Sequence, residues 1–111
     1  MKLTHSQTRY LIAIYRLSND KEGVRSSGIA KALGVTRPSV SRMLLNLTKL
    51  GLLDKRLYGT VYLTESGKAL ARERYQELTR LGNQLETGLA IPSDVAEKCA
   101  LLLISELPQN I

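Results

Sequence analysis

Between Thr36 and Asn46 the sequence gathers side chains suited to recognition. Arg37, Ser39, Ser41, Arg42 and Asn46 are spaced to turn outward from one helix, with Pro38 in its first turn and Leu45 beside them. Hydroxyl, carboxamide and guanidinium groups hydrogen-bond phosphate oxygens and base edges, and Arg is the commonest reader of guanine. The chemistry implied is binding to a nucleic acid. Catalysis needs other groups: the sequence offers no phosphate-cradling glycine loop, no Ser-His or Cys-His pair in prospect and no carboxylate pair in a recognisable cleft. An enzyme is not indicated.

Charge points the same way. The net charge is +6, but residues 1–64 carry eleven Lys or Arg against Asp20, Glu22 and Asp54, a balance of +8. Residues 65–111 carry five against seven, a balance of −2. A solvated basic surface would look similar, yet concentration in one half fits a face that neutralises phosphates and releases their counterions.

Those outward groups need a scaffold, and the preceding residues supply one. In the run 26–45, SSGIAKALGVTRPSVSRMLL, Ala30 is small where a second helix must cross it, Gly34 supplies a left-handed turn, and Val40 locks the two helices together. Ile29, Leu33, Val35, Leu44 and Leu47 fill the remaining inward positions. Upstream, Thr4 with Gln7 forms a capping-box pattern for a first helix bearing Tyr10, Leu11, Ile14 and Tyr15. Ser26-Ser27 are read as the cap of the second helix, and Ser27 as a further DNA-binding residue.

After Gly51 the period changes to that of a strand. Leu53–Leu57 and Thr60–Thr64 predict a hairpin around Tyr58-Gly59, and its Lys55, Arg56 and Tyr58 predict a wing touching backbone or minor groove. Thr64 caps a long fourth helix, about 65–89, with Leu78, Leu81 and Leu85 on one face. A fifth helix opens at Asp94 with Glu97 and is apolar almost all round through Cys99, Leu101, Leu102, Leu103 and Ile104. Such a helix must be buried on most sides, so a partner subunit is expected to cover it.

The fold class expected is mainly α: a winged helix-turn-helix over 1–64, with two C-terminal helices over 65–111 as a dimerisation part, the whole one compact unit. Nothing at the N-terminus resembles an export signal, and the longest apolar stretch, Leu101–Ile104, is far short of a membrane span. A lone cysteine fits a reducing, cytoplasmic setting.

The runs SQTRYLIAIYRLS, VRSSGIAKALGVTRPSVSRMLLNLTKLGLL and LYGTVYLTESGKALA resemble the iron- and manganese-dependent repressors of the DtxR/MntR type. The resemblance covers about 4–107, most strongly to about residue 72. It implies a homodimer packed through the first, fourth and fifth helices, with each third helix in a major groove. Thr36, Pro38, Ser39, Ser41 and Arg42 then fall where the family contacts DNA. The interface residues expected are Ile12, Leu78, Leu81, Leu85, Cys99, Leu102 and Leu103.

Family members sense Fe²⁺ or Mn²⁺, and here the resemblance fails. The ligand positions look like Arg9 and Ile12 on the first helix, Gln76 on the fourth, and Lys98 or Cys99 with two of Leu101–Leu103 on the fifth. No metal and no other cofactor is therefore expected. Cys99 reads as a small buried hydrophobe and His5 as a surface residue near a cap. The chain also ends soon after the fifth helix, where the family usually continues, which fits a shortened paralogue or a truncated chain.

The expectation is a homodimeric, metal-independent, sequence-specific transcriptional regulator, most simply a repressor, bound to an inverted repeat in double-stranded DNA. Two alternatives remain beside it: a genuine Mn/Fe-dependent repressor with an unrecognised site, and a winged-helix module that binds protein. The polar third helix, lacking apolar anchors apart from Leu45, speaks against the last.

Overall fold

A computed structural model of the chain describes residues 2–18, 23–55 and 59–106. Its elements run α1 (His5–Leu17), β1 (Val24–Arg25), α2 (Ser26–Leu33), α3 (Arg37–Lys49), β2 (Leu53–Lys55), β3 (Thr60–Leu63), α4 (Glu65–Leu89) and α5 (Ser93–Glu106). The expected winged helix is present. The capping box starts α1 with both of its reciprocal bonds, and Gly34 ends α2 at φ +66°. Thr36 and Thr64 cap α3 and α4 through their hydroxyls.

Two local readings change. Arg25, not a serine, occupies the N-cap of α2 and makes no side-chain cap bond, because the helix springs directly from a strand. That strand, β1, was not anticipated: Val24 pairs with Val61 and Arg25 with Thr60, antiparallel, giving a three-stranded sheet in the order β1-β3-β2. The wing register sets Leu53 against Leu63 and Lys55 against Val61.

Two apolar clusters hold the molecule together. The larger joins α1, α2, α3, the sheet and the start of α4 through Leu11, Ile14, Ile29, Leu44, Leu47, Leu52 and Val61, none more than 1% exposed. At its edge α4 approaches so closely that a Cβ on Gly67 would lie 2.0 Å from the Leu52 carbonyl oxygen. The Thr64 N–H donates to that same carbonyl at 3.1 Å, and the Thr64 hydroxyl donates to Gly51 at 2.6 Å. These contacts fasten the base of α4 to the turn that follows α3.

The smaller cluster joins α1, α4 and α5 through Ile12, Leu78, Ala100 and Ile104, with Leu81, Leu85 and Leu101 half-buried around it. Arg74 is 3% exposed beside this seam, and its guanidinium donates to Glu77 at 2.9 Å and Glu73 at 3.2 Å. A buried charge needs such partners. No helix among the described residues is long and apolar enough to cross a membrane.

Candidate nucleic-acid interface

The outer face of α3 presents the side chains that the sequence assigned to it. Thr36, Arg37, Pro38, Ser41, Arg42, Leu45 and Asn46 are exposed and Ser39 is half-buried, while Val40, Leu44 and Leu47 turn into the core. Thr36, Ser39 and Arg42 form a connected set. The Thr36 hydroxyl donates to Ser39 Oγ at 2.9 Å, and the Arg42 guanidinium donates to the same oxygen at 3.4 Å. The long Arg42 contact is weak enough to be exchanged for a phosphate or a base.

Asn46 carries a restraint that the sequence reading missed. Gln7 on α1 donates through Nε2 to Asn46 Oδ1 at 2.7 Å, while its Oε1 accepts from the Thr4 N–H at 2.9 Å. One carboxamide therefore completes a helix cap and orients a candidate base reader. Only the cap was legible in the Thr4–Gln7 spacing. The Asn46 partner lies 39 residues away and left no local signal.

Ser27 is half-buried at the start of α2. Gly59, where the wing returns at φ +71°, comes close to its neighbour: a Cβ there would lie 3.3 Å from Ser26 Oγ. Lys55 contributes backbone to β2. Its side chain, and the expected wing residues Arg56 and Tyr58, lie outside the described residues.

Of the positions compared with metal ligands in the family, Arg9, Ile12, Lys98 and Leu101 border one region between α1, α2, α4 and α5. Arg9 donates to the Leu33 carbonyl, at the end of α2, at 2.9 Å. Ile12 is buried. On α4 the residue packed with Ile12 is Leu78, whereas Gln76 is exposed. On α5, Leu101 and Lys98 border this region, whereas Cys99, Leu102 and Leu103 do not line it and are exposed. Cys99 is thus not a buried hydrophobe within the chain.

His5 is also corrected: it is half-buried, with Nδ1 3.3 Å from Ser105 Oγ on α5. Arg16 pairs with Glu97 and lies 5.1 Å over the Tyr75 ring, tying α1 to α5 and α4. Burial alone would lower the Arg16 pKa, but the hydrogen bond and charge of Glu97, with Tyr75, raise it above the ordinary guanidinium value.

The interface expectation changes in part. Ile12 and Leu78 are buried by their own chain, so they lie behind any subunit contact instead of in it. Leu81 and Leu85 are half-buried at the cluster's edge. Leu102 (54% exposed), Leu103 (40%), Val95 and Cys99 share one exposed stripe of α5, flanking the buried stripe of Ala96, Ala100 and Ile104.

Residues 2–61 match the model of the iron dependent repressor N-terminal DNA binding domain. The chain belongs to that family. It is accordingly a winged-helix, DNA-binding transcription regulator, and the family's members are not enzymes. Among solved structures, the manganese regulator SloR is similar at 27% identity and a TM-score of 0.81, over 98% of this chain and 50% of SloR. IdeR from T. acidophilum is similar in fold at 24% identity and 0.75, over 100% of this chain and 52% of IdeR. The Staphylococcus aureus transcription regulator MepR gives 25% identity and 0.58, over 92% and 75%. The chain thus spans about half the length of SloR and IdeR. No curated protein matches the sequence.

Proposed function

We propose that this family member works as a homodimer on an inverted-repeat site in duplex DNA, as a repressor, and that neither Mn²⁺ nor Fe²⁺ controls its binding. The observation that carries metal independence is the make-up of the region between α1, α2, α4 and α5. A hard divalent ion needs oxygen or nitrogen lone pairs. Arg9, Ile12, Leu78, Lys98 and Leu101 offer two cations and hydrocarbon. The neighbouring carboxylate, Glu97, is already paired with Arg16. Among the described residues no group of three or more His, Cys, Asp or Glu is placed to hold a metal ion. These residues do not fit a divalent cation, and two positive charges repel one.

In a metal-triggered regulator the ion selects the binding-competent arrangement by binding it more tightly. Here Ile12, Leu78, Ala100 and Ile104 supply that arrangement by packing. The dimer reading rests on the exposed α5 stripe of Val95, Cys99, Leu102 and Leu103, an apolar patch that no element among the described residues covers. In the dimer each α3 enters a major groove about one duplex turn, roughly 34 Å, from its partner. We assign it to the cytoplasm, where such a regulator meets its DNA.

The test is a duplex-binding titration in chelator, repeated with Mn²⁺ and with Fe²⁺, on a site selected from random DNA. Affinity should be unchanged. A tenfold gain with either ion, about 1.4 kcal/mol of coupling, would restore a metal-sensing role.

A further inference from the structure

The region that does not fit a cation is a cavity of about 410 Å³, within the range of ~300–1,000 Å³ usual for small-molecule sites. Ile12 and Leu78, both buried, line it with half-buried Leu33 and Leu101. At its border stand three cations and one anion: Arg9, Arg16, Lys98 and Glu97. Arg16 and Glu97 neutralise each other. That leaves Arg9 and Lys98, and among the described residues neither forms an ion pair with a carboxylate. Arg9 uses one nitrogen on the Leu33 carbonyl, and a guanidinium has further N–H groups to give.

A half-open, largely apolar pocket bordered by two cations free of carboxylate partners has a definite complement. We propose that the cavity binds a small organic anion, a carboxylate carried on an aliphatic or aromatic body. The carboxylate lies between Arg9 and Lys98, and the body lies against Ile12, Leu33, Leu78 and Leu101. Neither half suffices alone. An uncharged hydrocarbon leaves both cations without a counter-charge, and a bare anion leaves the apolar wall wet. The site touches Leu33, the last residue of α2, so its occupant sits against the helix-turn-helix itself.

The test is a titration of the full chain, methyl-labelled at Ile and Leu, read by NMR. It needs no DNA, so it succeeds or fails independently of the dimer and metal readings. Octanoate and benzoate should shift the Ile12, Leu78 and Leu101 methyl signals saturably at millimolar concentration. Octan-1-ol and acetate should each bind at least tenfold more weakly than octanoate. Lys98→Glu lies on an exposed position, and should weaken octanoate at least tenfold while leaving the free spectrum folded. Arg9→Gln should do the same, with Lys98→Glu as the guard against a folding defect. Absence of saturable shifts with both anions would overturn the proposal. Equal binding of octan-1-ol, or full octanoate affinity in Lys98→Glu, would overturn it as well, as would shifts confined to Leu102 and Leu103.

Discussion

The two apolar clusters of this molecule differ in how completely one chain closes them. The cluster under α3 is sealed: large side chains from three helices, the sheet and the start of α4 meet with almost no exposed surface. The cluster between α1, α4 and α5 has fewer buried residues, has a cavity on one side, and leaves apolar residues facing outward from α5. A sealed core holds a recognition surface rigidly. An unsealed one is where a second copy or a ligand gains the area that the chain leaves uncovered.

The sharpest way to break this contrast is to cut into each side. Leu44→Ala removes a side chain that is 1% exposed in the sealed cluster, and should cost about 2–5 kcal/mol of unfolding free energy in urea. A cost under about 1 kcal/mol would mean the cluster is looser than its burial indicates. On the unsealed side, Leu103→Glu should hardly change the unfolding of dilute protein. It should instead raise the dimer dissociation constant roughly a hundredfold, about 2.7 kcal/mol, by sedimentation. Native protein sedimenting only as the 12.3 kDa chain at micromolar concentration would remove the dimer altogether.

Smaller effects belong to the outer surface of the sealed side, where binding and stability separate. Arg42→Ala should leave the urea midpoint in place yet cost about 1–3 kcal/mol against a specific duplex and relax preference at one base step. An unchanged ratio of specific to scrambled duplex would show that α3 is not the reader. Smallest of all, Gln7→Ala frees Asn46 from its 2.7 Å bond. It should cost about 0.5–1.5 kcal/mol of stability and broaden base choice opposite Asn46, as selection from random duplexes would reveal.

The sealed half was the more legible in sequence, for a physical reason. Its signals are local: Gly34 at a left-handed turn, caps at Thr4, Thr36 and Thr64, and the inward spacing of Val40, Leu44 and Leu47 all act within a few residues. What escaped was non-local or very short. β1 is two residues long and exists because β3 offers it an edge. The Gln7–Asn46 and Arg9–Leu33 bonds join residues distant along the chain. On α4 only the packing on Ile12 identifies Leu78 as the inward residue and leaves Gln76 exposed. Apolar character predicted that α5 is surrounded. It did not say which face its own chain covers, which is why Cys99 emerged on the outside and Ile12 on the inside.

Gly67 has a mechanical consequence. Because a methyl group there would collide with the Leu52 carbonyl, α4 is held close at its base, and its Tyr75 and Leu78, packed on α1, hold it again farther along. Its 25 residues make α4 roughly 37 Å long at ~1.5 Å per residue. A tilt of about 5° at the base would carry the far tip, where α4 hands over to α5, by about 3 Å on that same length. A residue larger than glycine at 67 would therefore have to pull Leu78 and Tyr75 off α1 before its tilt reached the start of α5.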